Sequence, residues 1–469
     1  MVPTKRQKSN KNNDWDALVS HTREVLQDCI TRADHLIVGL SGGVDSIVLL
    51  DLLALLSRQM QFTLSAVHVN HGISHNANAW SHFCCRLCYT YGISISVAYL
   101  KVSKQPGLSL EAVAREKRYQ VFSRLHTTGA TEFNTSGYLV LAQHQDDQAE
   151  TVLLQLLRGA GVRGLSAMPR VRKQSVATAP YILRPLLDVS RSSIESYAAQ
   201  RQLQWVHDES NDCTHYSRNF LRHEVLPVIR RKYPNYSQTL QRTSQHMAEA
   251  SQLLDELAKS DAQRYMADGK LAFAAMRELS DPRAKNLLRY LLWQQNIRLP
   301  STIRLEELLR QLQNAESDTR LHVKLGTHEV RVYRGDIFIL PIPLYNRKPP
   351  KDLAYAWQDE PSLVLNELGG TISFKRSCGQ GLSHEKLKQA PVFIRLRKGG
   401  ETFKPDCKRP RRSLKNLLQE ASIPPWTRYT LPLLFCGEKL AWVPGIGMDC
   451  EFQAMPDENG VVPEWQAQL

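Results

Sequence analysis

Residues 36–50 read LIVGLSGGVDSIVLL. The apolar run Leu36–Leu40 predicts a strand, Ser41-Gly42-Gly43 breaks it, and the spacing beyond Val44 predicts a helix from Ser46 onward. Paired glycines between a strand and a helix let a phosphate approach backbone N–H groups, and the helix adds its positive N-terminal end. Ser41 and Ser46 add hydroxyl donors. There is no lysine in the loop, and G-x-x-x-x-G-K-[ST] occurs nowhere in the chain. An acid, Asp45, takes part instead, and it repels phosphate unless a divalent cation or an ammonium group lies between them. The plainer alternative is an ordinary glycine turn.

Strand-like segments at 35–40, 63–70, 93–100, 138–143 and 181–186 alternate with helical ones near 46–58, 77–91, 110–126, 147–158 and 190–201. Such alternation predicts an α/β fold with a doubly wound parallel sheet, whose ligands bind beyond the carboxyl ends of the strands. Residues 1–13 read as a basic, disordered tail, 14–215 as the α/β domain, 216–345 as a mainly helical domain and 346–469 as a small mixed α+β domain. A chain of 469 residues is too long for one ordinary core.

The net charge of +14 attracts polyanions. No uninterrupted apolar run is long enough to span a membrane, and the basic N-terminus has no apolar stretch behind it, so the expectation is a cytoplasmic protein. The nine cysteines are odd in number and scattered, which reads as thiols in a reducing compartment with no disulfide framework. Cys85 and Cys88 form a lone CxxC, and the helical look of its surroundings puts Cys84 and Cys88 in a core.

Polar residues gather after the predicted strands. The second ends in His68-Val69-Asn70-His71-Gly72. The fourth runs into AQHQDDQAE, where His144, Asp146, Asp147 and Glu150 crowd a helix start. Asp147 as N-cap with Glu150 in the capping-box position explains two of them. The surplus suits a cationic substrate, or Mg²⁺ on a nucleotide with Asp146 or Asp147 as ligand. The following Gly159, Gly161 and Gly164 form a G-x-G-x-x-G, but it ends a helix and so is no dinucleotide fingerprint. Glu111, Arg115 and Arg118 share a helical face, a solvated ion-pair row in the plain reading. Arg218, Asn219 and Arg222 make a basic cluster at the first domain boundary, either a boundary helix or a phosphate contact. The stretch 395–415 holds nine Lys and Arg, among them Lys408, Arg409, Arg411, Arg412 and Lys415, before a helix that Ser413 would cap. Proline and glycine between the basic residues fit an irregular RNA-backbone contact, with a solvated face as the alternative.

SGGVDS resembles the pyrophosphate-binding PP-loop of the N-type ATP pyrophosphatases. The ordered set SGGVDS, AVHVNHGIS, EAVAREKRY, AQHQDDQAET, RGAGVRGLSAM, LRPLL and DESN…RNFLR closely resembles the bacterial tRNA(Ile)-lysidine synthases, and the likeness spans roughly 34–455. What the resemblance implies is a ligase. ATP activates C2 of the wobble cytidine of isoleucine tRNA, releasing pyrophosphate, and the amine of free L-lysine then expels AMP. It implies that Ser41, Gly42, Gly43, Val44, Asp45 and Ser46 cradle ATP, with His68 and His144 nearby. Asp45, Asp147 and Glu150 would serve the lysine amine or Mg²⁺, and Arg115 or Arg118 the developing charge. Arg218, Arg222 and the 408–415 cluster would meet RNA. Alternatives are another PP-loop tRNA-modifying enzyme, such as a thiolase, and a non-catalytic basic RNA-binding protein. Monomer and homodimer both stay open.

Overall fold

The computed structural model describes residues 14–32, 34–103, 110–125, 137–174, 179–267, 269–315, 321–342 and 353–467. The expected N-terminal tail and residues 126–136 lie outside the described residues, as does the side chain of Glu111.

The chain divides into two compact units, the first reaching Leu257 and the second starting at Ala258. In the first, α1 (Asp14–Cys29) precedes β1 (His35–Gly39), α2 (Val44–Met60), β2 (Thr63–Asn70), α3 (Ala77–Tyr91), β3 (Ser94–Tyr99) and α4 (Leu110–Ser123). Then follow β4 (Gly137–Val140), α5 (Gln145–Leu157), α6 (Val162–Leu165), β5 (Val171–Arg172), β6 (Tyr181–Leu183) and α7 (Arg191–Gln200). The sheet order is β3-β2-β1-β4-β6-β5, parallel except for the short edge strand β5, which the sequence pattern did not announce.

Strand order reverses between β1 and β4, and the crevice at such a switch point is where open α/β sheets bind ligands. The Ser41–Ser46 loop leaves β1 there, and His144–Glu150 leaves β4. Helix α2 is apolar nearly all round, and Ile47, Val48, Leu49, Leu50, Leu52, Leu53 and Leu56 are all buried. It therefore forms the middle of the core rather than one amphipathic wall, which fixes the loop at its N-terminus to a rigid element. Buried Cys84 and Cys88 on α3 belong to the same core.

The expected boundary at 215 moves. Residues Ser217–Lys232, a helix interrupted by a π-helical turn at Leu221–Val225, belong to the first unit and bring Arg218 and Arg222 onto α5.

In the second unit, helices Asp281–Gln294 and Thr302–Asn314 bury a leucine stripe, including Leu287, Leu288, Leu305 and Leu308. The region expected to be mainly helical also carries a five-stranded sheet, because HEVRVYRGDIFILP folds as an antiparallel hairpin about Arg334-Gly335. The C-terminal part has five-, four- and two-stranded sheets. Trp426 meets the rings of Tyr333 and Phe338 edge-on, with the Arg331 guanidinium over its face. Those contacts join the two expected C-terminal domains within one unit.

Cys407 and Cys450 are bridged, with Cα atoms 5.5 Å apart, which corrects the reading of all nine cysteines as thiols. Their separation of 43 residues hid the pairing; Cys450 N donates to the Lys404 carbonyl and draws the two segments together.

Candidate active site

The loop after β1 is held by its own hydroxyls. Ser46 Oγ accepts from Ser41 N (3.2 Å) and Gly42 N (3.1 Å) and donates to the Gly43 carbonyl (2.9 Å). Ser41 Oγ sits 3.0 Å from Ser46 Oγ and accepts from Gly43 N. The first amides of the loop, expected to point at phosphate, are thus occupied by internal bonds. Gly42 has φ of 93°, and a Cβ there would lie 2.8 Å from Val206, so only glycine fits.

Asp45 projects from the first turn of α2 into a charged cluster. Its Oδ2 pairs with Arg191 Nη1 at 2.5 Å, and its Oδ1 lies 3.7 Å from His144 Nε2. Oδ1 is buried and accepts no hydrogen bond from the described residues. Burial pushes this carboxyl above its ordinary range, with His144 and Arg191 opposing.

At the second corner the N-cap of α5 is His144, not Asp147 as the sequence suggested. Asp147 occupies N3, and its Oδ2 accepts from the His144 backbone N–H at 3.1 Å. One residue supplies the cap position while the acid reaches back to it, which is the capping-box geometry shifted by three. Glu150 is then free of capping duty. It is 1 % exposed and accepts from Arg218 Nε (2.6 Å), Arg222 Nε (2.6 Å) and Arg222 Nη2 (3.0 Å). Asp147 Oδ1 accepts from Arg218 Nη2 (2.9 Å) and Arg222 Nη2 (3.2 Å). Burial works against the charge on Asp147, but His144, Arg218 and Arg222 overcome it and hold the carboxyl below its usual range. Arg218 and Arg222, expected as RNA contacts, are therefore built into the acid cluster.

Asp146 points elsewhere: Oδ2 accepts from Arg191 N (3.0 Å), and Oδ1 faces Tyr236 and Arg230. Of the acids considered for Mg²⁺, Asp146 and Asp147 are already filled with hydrogen bonds. Asp45 fits better, because an unpartnered buried carboxylate oxygen is the donor a hard cation takes, with phosphate and water completing its shell.

The other expected residues fall into place unevenly. His68 is buried, and its Nδ1 pairs with the Leu40 carbonyl at 2.8 Å, so it ties β2 to the end of β1. His71 accepts from Arg118 Nε at 3.2 Å, and burial together with Arg118 and His68 brings its pKa down to about 4. Arg115 is exposed and lies over the Tyr119 ring, on the side of Arg172 and Arg184. No described contact joins it to Asp45. Sequence reasoning missed Arg191: it stands in LDVSRSSIE as an ordinary helix-start residue, 146 positions from its partner.

Burial pushes the Cys84 and Cys88 thiols up to about 12, the opposite of what a sulfur-transfer nucleophile needs. In the second unit, Arg411 makes a bidentate pair with buried Asp449, and Arg412 pairs with Glu420. Lys408, Arg409 and Lys415 are exposed, with Arg409 3.4 Å from Asp406. Ser413 caps its helix by accepting from Asn416 N. No helix among the described residues is long and apolar enough to cross a membrane.

Three family models match the chain: a PP-loop domain at 16–229, a TilS substrate binding domain at 271–338 and a TilS substrate C-terminal domain at 392–465. The chain is 49% identical to the tRNA(Ile)-lysidine synthase of Nitrosomonas europaea, over 94% of this chain and 93% of that one. It is 40% identical to the protein of that name from Azoarcus sp., over 94% of each chain. With the one from Coxiella burnetii it shares 35% identity, over 92% and 93%. The loop at the switch point, the acid-rich helix beside it and full-length similarity agree, and the chain belongs to the tRNA(Ile)-lysidine synthase family.

Proposed function

We propose that this chain ligates free L-lysine to C2 of the wobble cytidine of isoleucine tRNA, converting ATP to AMP and pyrophosphate. The C2 oxygen of the base attacks the α-phosphorus; an O–P bond forms, the bond to the β-phosphate breaks and pyrophosphate leaves. The ε-amine of lysine then attacks C2, a C–N bond forms, and AMP departs with the oxygen. The product base is lysidine, which changes both the codon read and the amino acid accepted.

The observation that carries this reading is the meeting of Asp45 with His144 and Arg191, which puts the loop and the acid-rich helix at one point of the sheet edge. The loop, Ser41 to Ser46, takes the outer phosphates. Asp45 would hold Mg²⁺, which supplies charge neutralisation to the phosphates when bound. Asp147 and Glu150 with Arg218 and Arg222 combine carboxylates and guanidinium groups within one cluster, which suits a zwitterionic amino acid. An amine attacks only when neutral, so a carboxylate of the site must take up its proton. Arg115 and the exposed Lys408, Arg409 and Lys415 are left for contacts to RNA.

The test supplies purified protein with isoleucine tRNA bearing a cytidine wobble base, ATP and labelled lysine. Label should enter the tRNA with one pyrophosphate released per lysine. Release of orthophosphate, or no incorporation, would count decisively against the reading.

A further inference from the structure

A polyphosphate site made from this loop has a charge problem. The amides of Ser41, Gly42 and Gly43 are engaged by Ser46 and Ser41 hydroxyls, and the loop adds the anionic Asp45 and no cation. The tertiary structure supplies the cation from α7. Arg191 reaches Asp45 Oδ2 with Nη1 at 2.5 Å and Glu195 Oε1 with Nε at 2.8 Å. Nη2 makes no hydrogen bond to a described residue, and the side chain is 36 % exposed.

Holding α7 against α2 is not an adequate reason for this pair. That attachment already exists one turn and more away, where Asp51 of α2 (1 % exposed) accepts from Tyr197 (2.6 Å) and Arg201 (3.1 Å) of the α7 end. Ile194, Tyr197 and Ala198 are buried along the same face. The pair at the other end leaves the Arg191 side chain about a third exposed beside the loop acid Asp45. A planar guanidinium can bind a carboxylate with one nitrogen and a phosphoryl oxygen with another, which a lysine ammonium does less well.

We propose that Arg191 is a catalytic residue that contacts the departing pyrophosphate, and that Asp45 is the anchor placing its guanidinium there. The acid in the loop thereby recruits the positive charge that a lysine provides in other phosphate loops. This inference rests on the proposed use of the Ser41–Ser46 loop for the outer phosphates.

The experiment measures inorganic pyrophosphate binding by calorimetry, alongside lysine incorporation, for wild type, R191Q and R191K. In R191Q the dissociation constant for pyrophosphate should rise at least about 10-fold. Its kcat should fall about 100-fold, while tRNA affinity stays at the wild-type value. R191K should lie between, since a point charge keeps attraction and loses the fork. In crystals of the wild-type chain soaked with pyrophosphate, Arg191 should stand within hydrogen-bonding distance of a phosphoryl oxygen, an outcome that does not depend on R191Q folding. Wild-type pyrophosphate affinity in R191Q, or a soaked structure with pyrophosphate in the loop and out of reach of Arg191, overturns the inference. Failure of the wild-type chain to bind pyrophosphate at the loop overturns the reading of the loop itself.

Discussion

Glu150, buried at the first turns of α5, is gripped from one side by two arginines, Arg218 Nε and Arg222 Nε, each at 2.6 Å. Removing its charge leaves two partly buried guanidinium groups with Asp147 as their remaining acid partner. Glu150→Gln should cost about 2 kcal/mol of unfolding free energy. Arg218→Ala should raise KM for lysine about 10-fold with KM for ATP unchanged. Urea unfolding and initial-rate kinetics check the pair. An unchanged lysine KM in R218A would remove the cluster from amino-acid binding.

Asp45→Asn keeps the shape of the side chain and removes the charge that holds Arg191 and faces His144. Lysine incorporation should fall at least about 100-fold, with the melting temperature within roughly 5 °C of wild type. Labelled-lysine transfer and a thermal melt measure both. A fully active D45N would exclude Asp45 from the mechanism.

The half-buried imidazole of His71 has a pKa of about 4 in the fold against an ordinary 6.5. A histidine kept neutral when folded takes up a proton on unfolding, so its stabilisation is present above the unfolded pKa and is lost as pH falls from there toward the folded one. Through His71 alone the chain should be about 2 kcal/mol less stable at pH 5 than at pH 7. His68 and His35 are shifted in the same direction by burial and steepen the same limb. Urea unfolding at both pH values, in wild type and in His71→Gln, checks it; the difference should shrink by that amount in the variant.

Asp51 accepts from Tyr91, Tyr197 and Arg201, and its carboxyl stays below its usual range because those bonds outweigh the burial that opposes its charge. Asn at this position turns an amide donor toward donors. Asp51→Asn should lower stability by about 3 kcal/mol, while the folded fraction keeps its specific activity. Equilibrium unfolding together with activity corrected for folded protein separates the two effects.

Within the C-terminal basic stretch, two kinds of residue should behave differently. Lys408→Ala and Lys415→Ala should weaken tRNA binding and flatten its dependence on salt by about 0.7 to 0.9 in log–log slope per lost phosphate contact. Arg411→Ala should instead destabilise the second unit by about 3 kcal/mol, because the buried Asp449 carboxylate would lose its guanidinium and keep backbone N–H donors from Lys404 and Glu451. Filter binding across a salt series and thermal unfolding distinguish them.

Much of this protein was legible along the chain because its signals are local. LIVGLSGGVDS contains strand, turn and helix start within a dozen residues, and the same economy announced His144–Glu150 after the fourth strand. Ser413 as a helix cap and Cys84 with Cys88 in the core followed from spacing alone. The order of strands decided the rest. Placing β4 beside β1 brings Asp45 to His144, α7 brings Arg191 back to the loop, and the helical stretch from Ser217 brings Arg218 and Arg222 to acids some 70 positions earlier. Charge pairing acts through space and leaves no periodicity in the chain, so a sequence can name the acids and bases of this site without saying which cation neutralises which anion. The five parallel strands, the loop and the family can be read along the chain; the pairing of the loop's acid with an arginine 146 residues away exists only in the folded backbone.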